Sequence, residues 1–298
     1  MMRRVWTCLG LATLTAIAGC GGAVKRDTKI RKNEIPIVKD ATREELIEKF
    51  NAQAAGAKSL NATVELRPTA GSRYSGLIQE YHEVKAFLLA KRPGDIRMIG
   101  QAPVISKTIF DMTSDGTTFR VSLPTKNKFL VGDVGVERNS AKPLENLRPQ
   151  HLFDSLIWPE IVKGEAVLFE EFNDESARYY VLTVLRGGYT KEITRKIWFD
   201  RTDLNVARMQ YYGPKGALLS DIHYGDWQPA GDSTGALSYP HGIRVDRPHD
   251  DYRIELQIAK LTLNEELPAE RFQLVQPPNS ELVKVGEENG TAPKGSKP

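Results

Sequence analysis

Tyr252-Arg253-Ile254-Glu255-Leu256-Gln257-Ile258-Ala259-Lys260-Leu261-Thr262-Leu263 carries the clearest alternation in this 298-residue chain. Tyr252, Ile254, Leu256 and Ile258 occupy every second position, with polar or charged residues between them. That is the pattern of a strand with one buried and one wet face. After Ile258 the apolar set jumps by one place to Leu261 and Leu263. Such a slip would turn every later side chain over, so a bulge is predicted near Ala259-Lys260.

The same period recurs upstream. Phe119, Val121 and Leu123 alternate with Arg120 and Ser122, and Ser220, Ile222 and Tyr224 oppose Leu219, Asp221 and His223. Further strands are predicted at 60–66, 75–90, 96–102, 108–113, 128–131, 166–172, 178–186, 193–199 and 205–212. Between them lie turn signals such as Asp115-Gly116, Asn173-Asp174, Gly187-Gly188 and Gly213-Pro214. Many short strands joined by short turns make an antiparallel meander rather than a parallel α/β sheet. A sheet of ten or more strands must curl to bury its apolar face. Tyr179 to Leu185 is apolar on both faces and needs cover on each side.

Two helices complete the prediction. Thr42-Arg43-Glu44-Glu45 fits a capping box, and Leu46, Ile47, Phe50 and Ala54 follow at helical spacing up to Gly56. Residues 148–157 hold Leu152, Phe153, Leu156 and Ile157, with Pro149 in the first turn and Trp158-Pro159 at the end. This short, very apolar element inside a meander is expected to plug the curled sheet. The fold class is therefore mainly β with α: an unclosed antiparallel half-barrel with an N-terminal helix and a plug helix.

The ends read differently. Arg3 and Arg4 precede an apolar run from Val5 to Ala18, too short to span a bilayer, which takes about 20 residues. Basic start, short apolar core and small residues make residues 1–19 a signal peptide. Ile17-Ala18-Gly19-Cys20 resembles a bacterial lipobox, which implies that Cys20 becomes the first mature residue and carries a diacylglycerol, usually with a third acyl chain on the new amino terminus. Two or three chains anchor stably where one does not. Gly21-Gly22 lacks the aspartate that retains enterobacterial lipoproteins at the inner membrane, which implies the periplasmic face of the outer membrane. Residues 20–39 are read as acylated cysteine and flexible linker, 40–275 as the folded body and 276–298 as a disordered tail.

Composition narrows the function. At 40% hydrophobic and 27% charged the chain is ordinary globular protein. The formal net charge is +3, and Arg3 and Arg4 supply two of it, so no clustered positive field for nucleic acid is expected. Both cysteines, Cys8 and Cys20, lie in the first twenty residues, which leaves the body without disulfide, thiolate metal site or cysteine nucleophile. The five histidines make no metal pattern; His241 and His249, near Asp246, Asp250 and Asp251, read as a solvated loop. Nucleophile elbow, phosphate loop and dinucleotide fingerprint are missing. No catalytic residue, cofactor or metal is expected.

In its order of elements the chain resembles the bacterial outer-membrane lipoprotein carrier/receptor (LolA/LolB-like) superfamily. The matching run is the leader, the helix with Leu46 and Phe50, Ser59-Leu60-Asn61-Ala62, then Phe87-Leu88-Leu89 and Lys91-Arg92-Pro93-Gly94-Asp95-Ile96-Arg97. Phe110-Asp111-Met112, Ser114-Asp115-Gly116 and Phe119 to Pro124 follow. The resemblance implies an unclosed barrel with a hydrophobic cavity for acyl chains of lipids or lipoproteins, and the anchored cysteine is closer to the receptor branch. Apolar character nominates Phe87, Leu89, Phe110, Phe119, Val121, Leu152, Phe153, Leu156, Trp198 and Tyr211 as cavity formers. The other class in view is a non-catalytic structural or interaction lipoprotein, with a packed half-barrel and an envelope protein as partner.

Overall fold

The computed structural model describes residues 37–72, 76–102, 106–135, 146–173, 177–230 and 237–286. The leader, Cys20 and most of the linker lie outside them, as do residues 287–298. Every element below belongs to the unit that starts at Val38.

Helix α1 spans Arg43–Gly56. The predicted capping box is present: Glu45 N–H donates to Thr42 Oγ1 at 3.3 Å, and Thr42 N–H to Glu45 Oε2 at 2.8 Å. Leu46, Phe50 and Ala54 are its buried stripe. Each large apolar side chain so buried contributes ~1.5–3 kcal/mol.

Fifteen strands follow: β1 (Ser59–Ser72), β2 (Leu77–Glu80), β3 (Val84–Lys91), β4 (Asp95–Gln101), β5 (Thr108–Ser114), β6 (Thr118–Leu123), β7 (Lys128–Asp133), β8 (Ala166–Asn173), β9 (Arg178–Arg186), β10 (Glu192–Asp200), β11 (Val206–Tyr212), β12 (Leu218–Pro229), β13 (Ser238–Arg247), β14 (Tyr252–Leu263) and β15 (Glu281–Val285). Helix α2, Pro149–Leu156, lies between β7 and β8 with Pro149 in its first turn. All strands join one sheet in the order β15-β7-β6-β5-β4-β3-β1-β14-β13-β12-β11-β10-β9-β8, with β2 on β1. Its two ends, β15 and β8, do not pair with each other, so the barrel is unclosed. The chain thus folds as two neighbouring meanders joined where β1 meets β14. There the register steps between Thr63↔Lys260 and Val64↔Ile258, which leaves Ala259 as the extra residue of the expected bulge.

The inner face holds one apolar core, to which α1 and α2 both contribute. Strand β3 shows how. Val84, Ala86, Leu88 and Ala90 are buried, and Lys85, Phe87 and Leu89 alternate with them on the outer face. Strand β9 is buried on both faces, through Tyr180, Leu182 and Val184 on one and Val181 and Thr183 on the other. Trp198 supplies part of the outer cover, edge-on to Tyr179 and Phe172.

Four expectations need correction. Residues 75–90 form no single strand: β2 and β3 are separate, and the long strand is β1, which pairs β3 up to Leu66 and β2 from Thr69. Residues 238–247 are a strand, not part of a loop, and His241 Nδ1 lies 3.0 Å from the Ile258 carbonyl. The segment read as a disordered tail holds β15. Finally, the meander is not wholly antiparallel, because β15 runs parallel to β7.

The route to β15 explains the last two. Leaving β14, the chain crosses the outer face. Ser59 Oγ donates to the Glu265 carbonyl, Lys91 Nζ to Leu267, Arg97 Nη1 to Arg271 and Thr113 Oγ1 to Phe272. These partners sit on β1, β3, β4 and β5 in turn. Leu267 and Phe272 are buried beneath the strap. Asn127 Nδ2 then donates to the Asn279 carbonyl, and β15 closes the β7 edge from the far side. A strap arriving in that direction can only add a parallel strand.

Candidate ligand groove on the inner face

Two regions of the inner face are candidates: the space under α2 and the groove beside α1. The nominated residues divide between inner and outer faces. Phe110, Phe119, Val121, Leu152, Phe153, Leu156 and Tyr211 come together on the inner face. Leu152, Leu156 and Phe119 are essentially without exposure, and Phe153 is buried; Phe110, Val121 and Tyr211 are partly buried against the core. Phe110 lies across Gly100 of the next strand, where a Cβ would stand 2.2 Å from Phe110 Cε1. Arg148 stacks over the Phe119 ring at 4.8 Å.

Phe87, Leu89 and Trp198 are corrected: they point to the outer face. Phe87 is 40% exposed, and with Leu89 it borders a shallow outer depression beside Arg97 and Arg271. Trp198 packs on Phe172 and Tyr179, with the Arg208 guanidinium over its ring. Bulk had chosen the wrong side of the strand. The inward residues of β10 are Ile197 and Phe199.

Helix α2 is held by its own last turn. Orphan carbonyls at a helix C-terminus need donors when buried. Here tyrosines from three consecutive strands supply them. Tyr211 Oη of β11 donates to the Asp154 carbonyl at 3.3 Å, Tyr224 Oη of β12 to Ser155 at 3.1 Å and Tyr239 Oη of β13 to Leu156 at 2.7 Å. Trp158 Nε1 also donates to Ser155, at 3.2 Å. Arg92 Nη2 donates to the Trp158 and Ala54 carbonyls, tying the chain beyond α2 to the end of α1.

The N-terminal half of α2 carries a polar cluster. Arg247 donates from Nη1 to Ser220 Oγ at 2.8 Å and from Nε to Asp250 Oδ2 at 2.8 Å, and its Nη2 lies 3.2 Å from His151 Nε2. A guanidinium can only donate, so Nε2 accepts and Nδ1–H donates to Tyr252 Oη at 2.7 Å. Burial, helped by Arg247 and Arg148, pushes the His151 pKa well below the usual imidazole value, so the ring stays neutral. On the same helix Asp154 is solvent-accessible but recessed, and desolvation pushes its carboxyl up to about 6. These groups orient one another within the fold.

The open space lies beside α1. A groove of about 790 Å³ runs along the helix face made by Lys49, Ala52, Gln53 and Gly56. Its lining takes in Phe50, Phe199 and Val206, which are buried in the core with almost no exposed surface, together with the partly exposed Trp227 of β12 and Leu237 just before β13. Phe50 stacks flat on Trp158 at 5.6 Å, and Trp227 meets Trp158 edge-on at 6.1 Å, which makes the lining continuous with the core under α2. Gln53 Nε2 donates to the Ser238 carbonyl across it, at 2.8 Å. Gly56 lets Leu237 close in, since a Cβ would meet Leu237 Cδ1 at 2.9 Å. The volume lies within the ~300–1,000 Å³ of small-molecule clefts. The sequence reading missed this groove; the alternation of Ile197 and Phe199 against Trp198 was the signal that could have found part of it.

Among the described residues no group of three or more His, Cys, Asp or Glu is placed to hold a metal, and no helix is long and apolar enough to cross a membrane.

Neither a protein-family model nor a curated protein matches the sequence. Solved structures do. A DUF1329 family protein from Desulfovibrio piger is 16% identical over 76% of this chain and 94% of its own, with a TM-score of 0.51. A putative outer membrane lipoprotein-sorting protein domain from Vibrio parahaemolyticus is 16% identical over 76% and 94%, with a TM-score of 0.49. A LolA superfamily protein from Nitrosomonas europaea is 14% identical over 79% and 99%, with a TM-score of 0.47. At such identities the likeness is one of fold, and the unclosed half-barrel that the order of elements had led us to expect is shared with the DUF1329 family structure.

Proposed function

We propose that this chain is a lipid-anchored lipoprotein of the cell envelope, acylated at Cys20 and held at the periplasmic face of the outer membrane. It binds acyl chains of lipids or lipoproteins and serves their localisation there. The observation that carries the reading is the groove beside α1, about 790 Å³ and edged by the partly exposed Trp227 and Leu237. Burial of a chain of methylenes in such a groove contributes ~0.8 kcal/mol per CH₂ before the costs of ordering. No proton transfer or bond cleavage is part of this role.

A second reading has its own observation. Beneath α2 the half-barrel is filled, with Leu152 and Leu156 buried and the helix end held by three tyrosines. A fully packed barrel suits a structural accessory of an envelope complex.

Lipid extraction separates the two. The chain from Gly21 onward, purified without detergent, is extracted and the extract read by mass spectrometry. Stoichiometric acyl lipid supports the binder. A dry preparation that takes up no added fatty acid supports the accessory.

A further inference from the structure

The groove beside α1 has an electrostatic sign. Its described lining of fourteen residues includes two lysines, Lys49 and Lys58, and no carboxylate. Both lysines are exposed, and neither side chain has an ion-pair partner among the described residues. Two acids of α1 are engaged elsewhere. Glu44 pairs with Arg43, and Glu45 closes the capping box. Lys58 also borders a neighbouring cleft with Glu160, Glu265 and Glu266; of these, Glu265 accepts from Asn61 and lies against Arg271. A groove edged by Trp227 and Leu237, with two cations and no acid in its own lining, fits one class of occupant.

We propose that the groove selects amphiphiles with an anionic head, a carboxylate or a phosphate, held at Lys49 or Lys58 while one acyl chain lies along Trp227 and Leu237. This rests on the acyl-binding reading and adds the head-group class to it. Lys49 sits seven residues before the end of α1, about 10 Å along the axis at 1.5 Å per residue. The two cations therefore stand towards opposite ends of the groove, and single substitutions show which one meets the head. A charge-assisted contact at an exposed lysine amounts to about threefold in affinity, and added salt reduces it.

The test uses the chain from Gly21 onward and three twelve-carbon probes: dodecanoate, dodecyl phosphate and dodecanol. Each competes with a neutral fluorescent amphiphile at low ionic strength. The expected result is about threefold tighter binding of the anionic probes than of dodecanol. Lys49→Gln with Lys58→Gln should erase that preference at an unchanged melting temperature, and the double Arg variant should restore it. Tighter binding of dodecyl phosphate than of dodecanoate assigns a phosphate head; the reverse order assigns a carboxylate. Equal binding of dodecanoate and dodecanol, unmoved by the lysine variants, overturns the head-group proposal and leaves the acyl groove standing. Failure of all three probes overturns the groove reading itself, and this proposal with it.

Discussion

The inner face of the half-barrel is finished in two different ways. Under α2 it is filled: Leu152, Phe153 and Leu156 are buried, and buried phenols from β11, β12 and β13 satisfy the carbonyls of the helix end. Beside α1 it is open: Ala52 and Ala55 line a groove edged by the partly exposed Trp227 and Leu237. Both regions are apolar, so hydrophobicity does not distinguish them. What differs is whether the backbone is locked. A helix whose terminal carbonyls already have their donors would have to give them up in order to move. The contrast makes α2 a fixed plug and α1 the wall of the site.

Breaking the filled region should have the largest effect. Leu152→Ala with Phe153→Ala is expected to cost ~2–5 kcal/mol per site, read by urea denaturation, with no gain in fatty-acid uptake on the same protein. Faster or tighter uptake would instead make α2 a movable plug.

The latch can then be taken apart one phenol at a time. Tyr239→Phe leaves the buried Leu156 carbonyl without its donor and should cost ~1–3 kcal/mol. Tyr224→Phe should cost less, because Trp158 still donates to Ser155. Tyr211→Phe, whose bond is 3.3 Å long, should cost least. An equal cost at all three positions would contradict the hydrogen-bond account.

A smaller effect follows from pH. The folded pKa of His151 is depressed, so between that value and about 6.5 the unfolded chain binds a proton that the folded one excludes. Stability from this group is full above about 6.5 and falls as pH drops below it. Asp154 works with the opposite sign: its folded pKa of about 6 lies above its unfolded value, so its contribution is lost as pH rises towards 6. In Asp154→Asn, which removes that opposing slope, melting temperature should fall more steeply below pH 6.5 than in the parent. Adding His151→Gln should flatten it again. An unchanged slope on adding His151→Gln would remove the histidine from the account.

The smallest effect is expected on the outer face. Phe87→Ser removes an exposed ring and should change stability by no more than ~0.5 kcal/mol and leave lipid uptake unaltered. A marked loss of uptake would reverse the assignment of faces.

Much of the fold was legible because it rests on local period. The alternation in β14 gave both its buried face and the slip at Ala259, and Pro149 marked the start of α2. Strand β13 was hidden by Pro240 and Gly242, both poor strand formers whose cost is offset by pairing with β12 and β14. Strand β15 was hidden because five residues after a Pro-Pro-Asn run carry little local signal, and only a distant edge makes them a strand. The site was less legible than the fold. Its lining joins residues as far apart as 50 and 237, brought together by tertiary contacts. Choosing aromatic residues by size took Trp198 and passed over Phe199, one place along the same strand.

The central claim is that acyl chains occupy the groove beside α1 rather than the space under α2. Ala52 is exposed on the groove wall, so Ala52→Trp fills the groove without disturbing the core. The decisive measurement is uptake of a fluorescent fatty acid by Ala52→Trp and by the parent chain, with melting followed on both. The account predicts uptake weakened about tenfold or more at an unchanged melting temperature. Undiminished uptake by a stably folded Ala52→Trp chain would contradict it.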